Sequence, residues 1–165
     1  MYKAYKRPFY ALIKHLGRGL EKKHFPDPPV YIGGCGRSGT TLLLSILSAH
    51  PEIFCCREEL GLFERLREGK RGKEPLRLDR LYLSFLRYPI HKSQRRWCEK
   101  TPRNVRRFAQ IDAYHQGRFQ FIHLIRDGRD VVLSKHPDDP ERHWVDPERW
   151  VVDAAAGREI ANDPR

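Results

Sequence analysis

At 165 residues the chain has room for one domain with a sizeable core, since a chain near 150 residues buries roughly two thirds of its unfolded surface. Hydrophobic residues at 39% and aromatics at 11% exclude wholesale disorder. Lys and Arg number 32 against 21 Asp and Glu, and the resulting net charge of +11 attracts polyanions, yet zinc-finger spacing, an aromatic ribonucleoprotein motif and a basic region leading into heptads are all missing, which excludes dedicated nucleic-acid binding.

The first element expected is a basic amphipathic helix over residues 1–25. Tyr5, Phe9, Leu12, Ile13, Leu16 and Leu20 recur at helical spacing, with Lys, Arg and His on the other face. The apolar stripe is expected to pack on the domain, with peripheral membrane contact as the lesser alternative. No apolar run is long enough for a secretory signal or a membrane span, which points to a cytoplasmic protein. Phe25-Pro26-Asp27-Pro28-Pro29 breaks the helix, because proline lacks an amide donor and restricts the residue before it.

From residue 30 to 165 the pattern is that of a single α/β domain. Val30, Tyr31 and Ile32 read as a strand, residues 33–39 as a Gly-rich loop and 40–49 as an apolar helix. A second strand is expected near 52–56, a solvated connection over 68–73, a helix over 78–87, an extended segment over 96–100 and a helix over 103–114. FQFIHLI, residues 119–125, is the clearest buried strand, and helices are expected from about 128 and over 148–162. Alternating strands and helices imply a P-loop-like, three-layer fold around a central parallel sheet, with ligands bound beyond the carboxyl ends of the strands.

One such end carries Gly33-Gly34-Cys35-Gly36-Arg37-Ser38-Gly39-Thr40-Thr41. Glycines allow a tight turn whose amides face an anion, and the following helix adds its positive end. The outline is G-x-x-x-x-G, but Thr40 stands where a nucleotide-triphosphate loop carries lysine, which disfavours ATP or GTP hydrolysis. Arg37 can supply the missing charge, with Gly36, Ser38, Gly39, Thr40 and Thr41 completing the cradle.

GCGRSGTTLL, followed by HPEI and an acidic pair, resembles the 5′-phosphosulfate loop of the sulfotransferases, especially the branch similar to tyrosylprotein sulfotransferases. The resemblance runs from about residue 30 to 137. It implies 3′-phosphoadenosine 5′-phosphosulfate as donor, no metal, and transfer of a sulfuryl group to an acceptor hydroxyl by in-line displacement. It further implies that Arg126 and Ser134, in an R-D-G-R…S pattern, grip the donor's 3′-phosphate, and that Lys100, in the E-K-T-P stretch, joins Arg37 in stabilising charge on the leaving group. Glu58 is the expected general base, with Glu59 its rival. His50 and His123 are alternatives; the first reads better as the end of a helix and the second as a core residue. Arg129 and Asp130 read as a structural ion pair or helix cap.

Cysteines at 35, 55, 56 and 98 lack zinc-site spacing. The resemblance implies that Cys55 and Cys98 stand close together, paired in Golgi members and free thiols in a reducing cytoplasm. In the resembling family further elements follow the helix expected at 148–162, so the domain is expected to be incomplete at its C-terminus. Two other function classes remain: a P-loop nucleotide kinase, and a nonenzymatic polyanion-binding fragment. The acceptor, whether protein tyrosine, carbohydrate, lipid or small molecule, is not legible, because selecting residues in this fold lie on variable loops.

Overall fold

The computed structural model describes residues 6–69, 72–75, 77–136 and 138–165. Helix α1 (Lys6–His24) stops at the proline-bearing run, and β1 (Val30–Gly34) leads into α2 (Thr40–Ser48). There follow β2 (Ile53–Cys55), β3 (Leu66–Gly69), β4 (Gly72–Pro75), α3 (Leu78–Arg87) and β5 (Arg96–Lys100). A 3-10 helix (Pro102–Arg107), α4 (Phe108–His115), β6 (Gln120–Leu124), α5 (Gly128–Val132), β7 (Lys135–His136), β8 (Asp139–His143) and α6 (Pro147–Glu159) complete the chain.

β2, β5, β1 and β6 form a four-stranded sheet in that order, and every pairing is parallel. The chain leaves β1 for the β2 edge, returns beside it at β5, then crosses to its other side at β6. Such a reversal of direction opens a crevice at the carboxyl end of the shared strand, where α/β sheets take their ligands. Close approach of β1 to β6 there depends on Gly34, at φ 150, since a Cβ on it would come within 2.4 Å of the Leu124 carbonyl oxygen.

Helices cover both faces. Alternate strand residues serve opposite sides: Tyr31, Phe54 and Trp97 join Ile13, Tyr82, Phe85 and Ile111 beneath α1, α3 and α4, while Val30, Ile32 and Cys98 meet Leu44 of α2. Burial of each such large apolar side chain contributes about 1.5–3 kcal/mol. The α/β fold with its central parallel sheet is therefore the one expected from the alternation of elements.

The local differences have identifiable causes. Residues 68–73 lie within an antiparallel hairpin of β3 and β4, in register from Leu66↔Pro75 to Gly69↔Gly72, with a glycine at each end of the reversal; residues 70 and 71 are outside the described residues. The helix expected over 103–114 is two elements, because the segment after Pro102 winds tightly as a 3-10 turn before α4 begins. α5 ends at Val132, so Ser134 lies beyond the helix rather than two turns into it; its carbonyl accepts from the Trp144 amide at the start of the unforeseen β7–β8 ribbon.

The amphipathic stripe of α1 also divides. Ile13 is buried and Leu20 half-buried, but Leu12 and Leu16 are exposed, since the packing face is set by Gly17, whose backbone lies against the Tyr82 side chain of α3. Tyr5 lies outside the described residues, as does the side chain of Phe9. Among the described residues no helix is long and apolar enough to cross a membrane.

Candidate active site

The Gly-rich loop turns on two left-handed residues, Arg37 at φ 68 and Gly39 at φ 97. Glycine takes such a conformation freely, whereas at Arg37 it is costly and is sustained only by the surrounding loop. Ser38 is buried, and its Oγ has no hydrogen-bond partner. An orphaned hydroxyl in a loop of left-handed turns, at the N-terminus of a nine-residue helix, suits an anion with several acceptor oxygens. The Arg37 side chain next to it is exposed. The loop thus fits the phosphosulfate end of the expected donor.

At the end of β5, Lys100 is almost shut off from solvent, its side chain 7% exposed. The alternation along β5 aims it at the α2 face, where Nζ donates to Thr41 Oγ1 at 3.2 Å and to the Glu59 carboxylate. Glu58, the expected base, does not reach this lysine: it is exposed and accepts from Arg87 Nη1 at 3.4 Å. Neighbouring residues of a non-helical segment point to different sides, so only one of the acidic pair can face β5.

At the end of β6, Arg126 turns back across the sheet and donates from Nη1 to the Arg37 carbonyl at 3.2 Å, which brings the second anchor against the Gly-rich loop. Its Nε and Nη2 each lie 3.3 Å from Asp130 Oδ2. Ser134 Oγ donates to the Asp130 carbonyl at 2.8 Å, so Arg126 and Ser134 are joined through Asp130 rather than directly. Arg129 pairs with Asp127 instead of Asp130, and Asp127 caps α5 by accepting the Arg129 amide at 2.9 Å. The Arg129 guanidinium, with its amide, holds the Asp127 carboxyl down at about 2.

The histidines stand apart from this chemistry. His50 follows the end of α2, and its Nδ1 accepts from the Glu52 amide at 3.2 Å. His123 lies on β6 against α6, where a Cβ on Gly157 would meet the ring at 1.7 Å; burial pushes its pKa down. Cys55 and Cys98 are register partners on β2 and β5, and both are free thiols. The contact between the two thiols, with burial second, raises Cys98, and the same contact lowers Cys55. Among the described residues no group of three or more His, Cys, Asp and Glu is placed to hold a metal.

Several groups escaped the sequence, most of them because at least one of their partners is distant in the chain. Glu99, wholly buried, collects hydrogen bonds from Thr101, Asn104 and the Leu60 amide. Buried Asp153 on α6 takes the Arg106 guanidinium and stands behind the Gly-rich loop. Burial first, and then Asp153, push the Cys35 thiol up to about 12. Trp150 of α6 donates from Nε1 to the Arg126 carbonyl at 3.2 Å. Two cavities open nearby, of about 520 Å³ along Thr41, Cys55 and Arg57 and about 330 Å³ along Glu58, Glu59, Arg80 and Arg87. They share Tyr88, over whose ring the Arg57 guanidinium lies at 4.5 Å.

Residues 28–85 match the model of a family described as the sulfotransferase family. The chain is 32% identical over 125 residues to protein-tyrosine sulfotransferase 2 of Gallus gallus, covering 65% of this chain and 33% of that protein. It is 42% identical over 125 residues to protein-tyrosine sulfotransferase 1 of Danio rerio, covering 65% and 35%. With protein-tyrosine sulfotransferase 1 of Homo sapiens it is 43% identical over 129 residues, covering 67% and 34%. The chain therefore spans about a third of the length of the curated relatives it matches. No solved structure matches it.

Proposed function

Because the chain belongs to the sulfotransferase family, we propose that its reaction is the transfer of a sulfuryl group from 3′-phosphoadenosine 5′-phosphosulfate to an acceptor hydroxyl. The observation that carries this reading is the bridge made by Lys100 Nζ between Thr41 of the Gly-rich loop and Glu59. In such a transfer the acceptor oxygen bonds to sulfur while the bond from sulfur to the bridging oxygen breaks. The bonding pair leaves with the 5′-phosphate, and the acceptor's proton must go to a base. A buried ammonium beside the loop neutralises charge on the leaving oxygen, and the carboxylate next to it accepts the proton.

In this reading Arg37, Ser38, Thr40 and Thr41, with the amides of Gly36 and Gly39, hold the 5′-phosphosulfate. Arg126 holds the 3′-phosphate together with Ser134, both steadied by Asp130. Glu59, rather than Glu58, is the base, since Glu59 is the carboxylate in touch with Lys100. The relatives' names favour a tyrosine hydroxyl on a protein as acceptor, and the smaller cavity, lined by Glu58, Glu59 and Tyr88, is where its side chain would enter. Carbohydrate, lipid and small-alcohol acceptors are the outcomes to set against it. A cytoplasmic location belongs to the same proposal: denaturation without reductant should release four thiols, and a count of two would overturn it.

Calorimetric titration with 3′-phosphoadenosine 5′-phosphate tests the donor, and absence of binding would defeat the reading. Glu59→Gln should leave that binding intact and lower turnover by about 10²–10⁴-fold, while Glu58→Gln stays within about threefold of the parent. The reverse ranking would return the role of base to Glu58.

A further inference from the structure

Sulfuryl transfer as described needs the Glu59 carboxylate held beside Lys100, and the two groups reach that position by different routes. Lys100 sits on β5, which is paired on both sides: Cys98, Glu99 and Lys100 are in register with Val30, Tyr31 and Ile32, and Arg96 to Cys98 with β2. Its position is therefore set by the sheet. Glu59 belongs to the irregular segment between β2 and β3, which has no ladder of its own.

What ties that segment down next to Glu59 is a buried carboxylate. The Leu60 amide, one residue beyond Glu59, donates to Glu99 Oε1 at 3.2 Å. The Gly61 amide donates at 3.0 Å to Thr101 Oγ1, which in turn donates to Glu99 Oε1. Asn104 Nδ2 donates to Glu99 Oε2 at 2.6 Å and to the Ile32 carbonyl of β1 at 3.2 Å. Glu99, Thr101 and Asn104 are each at most 3% exposed. Every group around Glu99 is a donor, so the cage is complete for a carboxylate and not for an amide. Burial pushes the pKa of Glu99 up, and these hydrogen bonds oppose that push.

Resting on the sulfotransferase reading, we propose that Glu99 is a positioning residue for the transfer: its carboxylate clamps the backbone just beyond Glu59 and so fixes the base against Lys100. Glu99 lies on the opposite face of β5 from Lys100 and does not reach the reacting groups itself. A buried acid that only filled the core would have no need of the Leu60 amide directly and the Gly61 amide through Thr101. Loss of a clamp of this kind typically costs about 10- to 100-fold in activity, because the group it orients drifts from the productive geometry.

Glu99→Gln sets an amide against a ring of donors while keeping the side chain's shape. Turnover should fall about 10- to 100-fold, with affinity for 3′-phosphoadenosine 5′-phosphate kept within about threefold, because the loop that holds the nucleotide is on the other face. In a Glu59→Gln background the same change should add less than about twofold, since its route to the reaction is gone. Thr101→Val should lower turnover in the same direction and Thr101→Ser should restore it; this pair decides the matter if Glu99→Gln does not fold. Turnover unchanged in Glu99→Gln and Thr101→Val, or losses that multiply fully in the Glu59→Gln background, or nucleotide affinity falling as far as turnover, would each overturn the clamp. A parent protein that neither binds the nucleotide nor turns over defeats the sulfotransferase reading itself, whereas an active parent with an indifferent Glu99→Gln defeats the clamp alone.

Discussion

Where β5 ends, Lys100 and Glu99 are nearly or wholly removed from solvent, and each takes a partner, Glu59 and the Leu60 amide, from a loop about 40 residues earlier in the chain. Where β6 ends, Arg126 and Arg129 stand in solvent, with side chains 46% and 86% exposed, and pair with Asp130 and Asp127 within four residues. Both rims flank the same strand, β1, yet they are built for different tasks. A buried charge is stabilised only when all its partners are present, so the β5 rim is rigid and intolerant. Exposed pairs are screened and weakly held, so the β6 rim can exchange its carboxylate partners at little cost.

The comparison breaks most readily at Lys100. Lys100→Ala removes the buried cation and leaves Glu59 without its partner, and turnover should fall about 10³-fold; steady-state kinetics showing less than a tenfold loss would mean that the two rims are equally tolerant. A charge forced beneath the shared strand should undo both rims together. Tyr31 Oη and His115 Nε2 share a hydrogen bond of 2.9 Å, and burial holds the His115 pKa at about 4, below the ordinary 6.5. Between those values the unfolded chain binds a proton that the folded one refuses, so stability falls as pH drops from 6.5 to 4, by on the order of 3 kcal/mol. His115→Gln should flatten that slope in denaturant titrations run across this window.

Two smaller effects sharpen the β6 side. Arg126→Ala should weaken binding of 3′-phosphoadenosine 5′-phosphate by about 10- to 100-fold, read by calorimetry, as expected for loss of a charge-assisted hydrogen bond. Arg129→Ala, which removes only the exposed pair with Asp127, should change that affinity by less than about twofold. If Arg129 proved the more costly of the two, the role of phosphate anchor would pass to it.

At the β6 rim the strand and the glycine turn were readable from sequence because their information is local, whereas the pairing was not: Arg129 takes Asp127, and Arg126 takes Asp130 and reaches the distant Arg37 carbonyl. Local information likewise marks the Gly-rich loop, whose residue types name their own chemistry, and Lys100 within its short motif. The β5 rim was only half readable. That Glu59 rather than Glu58 faces Lys100 depends on how the chain leaves β2, a matter of one residue of register that an adjacent acidic pair conceals. Glu99 reaches back to the Leu60 amide, and Asp153 reaches Arg106 from α6; such long-range pairings follow from the tertiary arrangement, which no local pattern displays. The end of α5 before Ser134 was missed for a related reason, since the β7–β8 ribbon that draws the chain away has little apolar signal.

Cys35 sits in the middle of the Gly-rich loop, and burial together with Asp153 keeps its thiol protonated there. With a pKa of about 12, about one molecule in 10⁵ carries the thiolate at neutral pH, so Cys35 should react with maleimides far more slowly than an ordinary exposed thiol. The loop can therefore carry a sulfur atom beside its anion cradle with little of a thiolate's reactivity.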